Sequence, residues 1–171
     1  MSAAHYAAFE RICIEHHAIV RLLTDEARTA RGNRSADKDP ATGVPISKSE
    51  LYESAIITAQ DAYALLLIAT AEGFMRAYLD AIGVGVGSDL ELHELIQRCR
   101  KECNDRAGRV TIRPFAEAAV HNLRVQRNTY AHGRGSGVFP SVDRVASSLG
   151  RFFADIPSHA MPPSTAPPSR T

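Results

Sequence analysis

The sequence predicts an all-α protein, a helical bundle of about five helices, and three observations point there. Apolar residues recur at spacings of three and four over long stretches, capping signals stand ahead of those stretches, and no alternating run marks a strand. At 171 residues, 44% hydrophobic and 23% charged, the chain suffices for one domain with a real core. That domain is expected over residues 1–156, with a proline-rich, disordered tail over 157–171.

Helix one is expected from about Tyr6 to Ala30, with Phe9, Ile12, Cys13, Ile19, Leu22 and Leu23 as apolar positions. From Gly32 to Pro45 the chain is rich in breakers, including Asp39-Pro40 and Thr42-Gly43, and reads as an exposed, flexible loop. Ser47 and Glu50 form a capping box for a long second helix reaching Ile82, which Gly83, Gly85 and Gly87 end. Its apolar face includes Ile57, Ala64, Leu67, Ile68, Ala71, Phe74, Met75 and Tyr78, while Leu65 and Leu66 lie on the other side and need a cover. Ser88 and Glu91 repeat the capping device for helix three, through about Asn104. Pro114 suits the first turn of helix four, which stops at Gly133, and Pro140-Ser141 open helix five to about Asp155.

Several functions are excluded by what the residues lack. The longest apolar run, Ala62 to Ala71, is closed by Glu72, so no membrane span is expected, and with no signal-peptide pattern the protein is expected to be cytoplasmic. Cys99 and Cys103 lie one turn apart and read as buried thiols rather than a disulfide. No Glu-x-x-His pair exists for a di-metal bundle, and His93, Cys99 and Cys103 lack zinc spacing, so no metal and no cofactor are expected. The Gly83–Gly87 run follows a helix, which makes it a terminator rather than a phosphate loop. In Glu15-His16-His17 the adjacent histidines point in different directions and read as surface residues.

Net charge is only +1, but its distribution is uneven. From Gln97 to Arg134 nine basic residues face three acids, a local +6 that leaves the remainder at −5. Such a segment favours a polyanion and makes binding salt-dependent; a solvated helix face is the other reading.

Within that segment lies Arg127-Asn128-Thr129-Tyr130-Ala131-His132. Arginine is a permanent cation whose forked donors match a phosphate, and histidine titrates near neutrality, so the two can cleave RNA without a metal. On an ideal helix Phe115, Ala116, Ala119, Val120, Leu123, Tyr130 and Ala131 share one apolar face, with Arg127 in its middle. The opposite stripe reads Glu117, His121, Arg124, Asn128 and His132, so Arg127 and His132 point roughly 140° apart on an ideal helix. Two copies across a two-fold axis, or a bent helix end, would bring Arg127 and His132 onto one phosphate. Other readings stay open: Arg127 as an ion pair snorkelling to the rim, and Asn128 with His132 as a C-terminal cap against the dipole. Glu72 reads either as an i,i+4 partner of Arg76 or as a carboxylate that orients Arg127 or His132.

The long second helix with Ala-Glu-Gly-Phe-Met-Arg-Ala-Tyr-Leu at 71–79, followed by a late helix ending in Arg-Asn-Thr-Tyr-Ala-His-Gly at 127–133, resembles the HEPN superfamily (higher eukaryotes and prokaryotes nucleotide-binding domains). The resemblance covers roughly Tyr6 to Ile156. Arg127 and His132 match the family's Arg-x4–6-His, and Asn128 matches the polar residue that commonly follows the arginine. The resemblance implies a homodimer in which two motifs form a composite, metal-independent endoribonuclease site, often with an antitoxin or in antiphage defence. Arg124 and Arg134 would hold the RNA backbone. Arg134 also stands where one subgroup carries a tyrosine that a partner nucleotidyltransferase modifies, which puts that control in doubt. The alternative function is a non-catalytic helical module for dimerisation, nucleotide binding or partner-protein binding.

Overall fold

The computed structural model describes residues 3–31, 36–38, 43, 45–87, 89–131 and 140–156, and among them the chain builds five helices and one small strand pair. The elements are α1 (Ala3–Ala30), β1 (Ala36–Lys38), β2 (Pro45–Ser47), α2 (Lys48–Ala81), α3 (Leu92–Ala107), α4 (Pro114–Ala131) and α5 (Val142–Ala154). The architecture is an all-α bundle. One correction falls in the first connection, expected as loop throughout: Ala36, Asp37 and Lys38 pair antiparallel with Ser47, Ile46 and Pro45. Three-residue strands carry too short a pattern to register as alternation.

Helix termini follow the capping chemistry closely. The Ser47 side chain accepts from the Glu50 N–H, and the Glu50 carboxylate accepts from the Ser47 N–H at 2.8 Å, so the α2 capping box is reciprocal. At the other end Gly83, with φ +79°, donates to the Asp80 carbonyl, and Val84 donates to that of Leu79. Those two bonds form a Schellman motif, whose left-handed residue a side chain would strain. Helix α3 starts later than expected: Glu91 is its N-cap, its N–H donating to the Glu94 carboxylate at 2.9 Å. Ser88 lies outside the described residues. α3 also runs past Asn104 to Ala107, where Gly108 ends it at φ 63°. Pro114 opens α4, and Ser141 caps α5 by accepting from the Arg144 N–H.

The core forms around α2, which packs on α1, α3 and α5, while α4 closes the bundle between α3 and α5. Its buried stripe is Ala64, Leu67, Ile68, Ala71, Met75, Tyr78 and Leu79, the three-and-four spacing the sequence shows. α5 contributes Val145, Leu149, Phe152 and Phe153, all buried. The ring of Phe153 lies 5.8 Å from that of Phe9 and 6.1 Å from that of Phe74, centroid to centroid, an aromatic cluster joining α1, α2 and α5. The Tyr78 hydroxyl lies 3.0 Å from the Cys103 Sγ in the interior. Cys99 and Cys103 are buried and free, as expected, and burial raises both thiols and the Tyr78 phenol above their usual ranges.

Two polar clamps fix the ends of the bundle. Arg76 donates to the carbonyls of Gly87 and Leu90, at 2.8 and 2.6 Å, committing its fork to the α2–α3 connection. Arg113, just ahead of α4, holds Asp155 just after α5 through its backbone N–H and its guanidinium, all near 3.0 Å.

Some expected apolar positions face outward. Ile57 is 59% exposed, and Ile19, Leu22 and Leu66 are exposed too, whereas Leu65 packs against the core. α1 and α2 are long enough that parts of each face no neighbour among the described residues. Among the described residues α2, at 34 residues, is long and apolar enough by length and composition to cross a membrane.

Candidate functional site

The motif sits at the C-terminal end of α4, and the structure establishes that helix and its surroundings. Ala116, Val120 and Leu123 form its buried line, and position 127, seven residues beyond Val120, continues that line by spacing. The backbone is helical there, while the side chain of Arg127 lies outside the described residues, as do His132 and Arg134. Asn128 is exposed. Arg124 is half-buried, and its Nε is buried with no acceptor among the described residues. Glu72, on α2, is half-buried.

Two expectations about α4 are corrected. Phe115 does not join the apolar face; it is 51% exposed, with the Arg113 guanidinium 4.9 Å over its ring. Glu117, expected on the polar stripe, is buried at 9% exposure, because Arg100 of α3 reaches across and pairs with it at 2.7 Å. His121, one turn on, brings its Nε2 to 3.7 Å from the other Glu117 oxygen. The flank of α4 that faces α3 therefore carries Glu117, His121, Arg124 and Asn128 in succession, with Arg100 joining from the neighbour. A carboxylate held between a guanidinium and an imidazole fixes those side chains, and Arg124 supplies a cation between them and Asn128.

The opposite flank of α4 holds something the sequence does not announce. Between α4 and α5 lies a cleft of about 270 Å³ lined by Ala119, Asn122, Leu123, Val125, Gln126, Arg144 and Ser148. Its polar residues form two i,i+4 pairs, one on each helix. The only signal in the sequence is that each pair is polar at helical spacing; that the pairs face each other is decided by the packing of α4 on α5.

A second cluster, away from the motif, corrects the surface reading of His16. Its ring is buried at 5% exposure, neither nitrogen has a partner among the described residues, and the rings of His17 and Tyr63 stand 5.3 and 5.6 Å away. Burial lowers its pKa below 6.5, with a further push from His17, against an opposing pull from Asp143. His17 is exposed and approaches Asp143 of α5 at 3.2 Å, while burial, and secondarily Asp143, raises the nearby Cys13 thiol. A protonated Cys13 is a poor nucleophile, and among the described residues no group of three or more His, Cys, Asp and Glu side chains is placed to hold a metal.

Phe152 and Phe153 of α5 are buried in the core. Phe139 lies outside the described residues. No protein-family model matches the chain, and no curated protein or solved structure matches it.

Proposed function

We propose that the protein is a metal-independent RNA endonuclease of the HEPN type, acting as a homodimer with a composite Arg127/His132 site. The observation that carries this reading is Arg127-x4-His132 at the end of a helix within a segment of local charge +6. In the proposed reaction His132 takes the proton from a ribose 2′-hydroxyl or gives one to the leaving 5′-oxygen. Arg127 neutralises the charge that grows on the phosphoryl oxygens. Asn128 orients the histidine or donates to phosphate, Glu72 supports the pair, and Arg124 and Arg134 hold the strand. An exposed Asn128 and an Arg124 Nε with no acceptor among the described residues are consistent with these roles. The dimer draws support from Arg127 within an apolar face of α4 by spacing and from Leu66, exposed on α2. An antitoxin or a defence-system partner belongs to the same reading.

The test is cleavage of RNA by purified protein with metals chelated. Attack by the 2′-hydroxyl leaves a 2′,3′-cyclic phosphate and a 5′-hydroxyl, persists in EDTA, and spares a substrate with 2′-deoxyribose at the cut. His132→Ala protein should be folded and inactive. Products with a 5′-phosphate, activity restored only by magnesium, or wild-type rates from His132→Ala would reject the nuclease in favour of the non-catalytic module.

A further inference from the structure

The cleft between α4 and α5 has a chemistry distinct from the motif's flank. Its floor and wall are apolar: Leu123 is buried, Ala119 is half-buried, and Val125, 51% exposed, stands at the rim. On one side the Asn122 and Gln126 amides stand one turn apart, and on the other Arg144 and Ser148 do the same. No acidic residue lines it among the described residues. The neighbouring acid Asp143 approaches His17 instead, and the Arg144 guanidinium has no carboxylate partner among the described residues.

Each feature narrows the ligand. A side-chain amide presents both a donor and an acceptor in one plane, so two of them match a planar heterocycle whose edge alternates the same groups. An apolar wall suits the face of such a ring, and a guanidinium beside it with no carboxylate partner among the described residues suits either the ring face or an attached phosphate. A volume of about 270 Å³ lies just below the usual range for whole small-molecule sites, about 300–1,000 Å³, and fits one base rather than a dinucleotide.

We propose that this cleft receives one unpaired base of single-stranded RNA, with Asn122 and Gln126 reading its edge and Arg144 holding its face or its phosphate. The identification of the strand as RNA rests on the proposed nuclease reading. Asn128 stands on the other flank of α4, and a helix with its side chains is about 10–12 Å across. The base in the cleft therefore belongs to a nucleotide beside the cut, and the cleft sets sequence preference rather than rate.

The experiment is equilibrium binding, which does not depend on cleavage. Fluorescent 2′-O-methyl oligonucleotides of ten A, ten C or ten U are titrated with the wild-type chain, with Asn122→Ala/Gln126→Ala, and with Arg144→Ala, by anisotropy in EDTA. Asn122, Gln126 and Arg144 are exposed, so the variants should keep the wild-type circular dichroism and melting temperature. The wild type is expected to favour one base by about 5-fold or more, since a good amide-to-base pairing discriminates by about 1–3 kcal/mol. The double variant should level the three affinities to within about 2-fold, and Arg144→Ala should weaken all three together. Nucleoside monophosphates titrated alone should bind at least about 10-fold more weakly than the oligomers, because a strand adds phosphate contacts. No binding, no base preference, a preference that survives the double variant, or a monophosphate that binds as tightly as the strand would each overturn the proposal. Base-selective binding without RNA cleavage would reject the nuclease and keep the cleft. Cleavage whose base choice is unchanged by the double variant would do the reverse.

Discussion

Replacing His16 by leucine should change how stability depends on pH, and the structure sets both sign and size. The imidazole is buried with neither nitrogen partnered among the described residues, and its folded pKa is held below the unfolded value of 6.5. As pH falls, the unfolded chain therefore takes up the proton before the folded chain does. The contribution of His16 to stability is complete above pH 6.5 and is lost below it, down to its folded pKa. One proton corresponds to at most about 1.4 kcal/mol per pH unit, so the loss from this group between pH 8 and pH 5.5 is bounded at about 1.4 kcal/mol. Leucine cannot titrate, and it also removes an unsatisfied polar group that ordinarily costs about 1–3 kcal/mol, offset by lost contact with the His17 and Tyr63 rings. Urea denaturation of both proteins at pH 8 and pH 5.5, followed by circular dichroism, gives the difference directly, and titrations elsewhere cancel between them. His16→Leu should gain on the wild type as pH falls, by up to about 1.4 kcal/mol. A difference that stays constant, or moves against the leucine variant, would refute the buried, neutral histidine.

Three further outcomes follow from the packing. Phe153→Ala, at the junction of α1, α2 and α5, should cost about 3–5 kcal/mol in urea unfolding, whereas Leu22→Ala on the exposed side of α1 should stay within about 0.5 kcal/mol. In a double-mutant cycle Arg100→Ala and Glu117→Ala should show favourable coupling of about 1 kcal/mol, modest because Arg100 is about half exposed, and Glu117→Ala should be the costlier single change. Under native conditions a thiol reagent should modify Cys13 first, with Cys99 and Cys103 reacting only on unfolding, because both are buried and kept protonated.

Capping and periodicity made most of the bundle legible. The Ser47/Glu50 box, Pro114 and Ser141 act within one turn of themselves, so they mark the starts of α2, α4 and α5 whatever packs nearby. The stripe from Ala64 to Leu79 is readable for the same reason, since 3.6 residues per turn places it on one face before any partner arrives. The motif, too, is a property of the chain: Arg127 and His132 are five residues apart in any fold. What periodicity cannot supply is the identity of the neighbour. Glu117 looks like a surface acid until Arg100, seventeen residues earlier, crosses from α3 to pair with it. His16 looks like a surface histidine until Tyr63 covers it. Phe115 looks like core until the structure leaves it 51% exposed with the Arg113 guanidinium over its ring. The cleft belongs wholly to tertiary structure, because Asn122 and Gln126 meet Arg144 and Ser148 only when α4 lies against α5. Burial and facing are properties of pairs of elements, and a single strand of sequence fixes only what lies within reach of one turn.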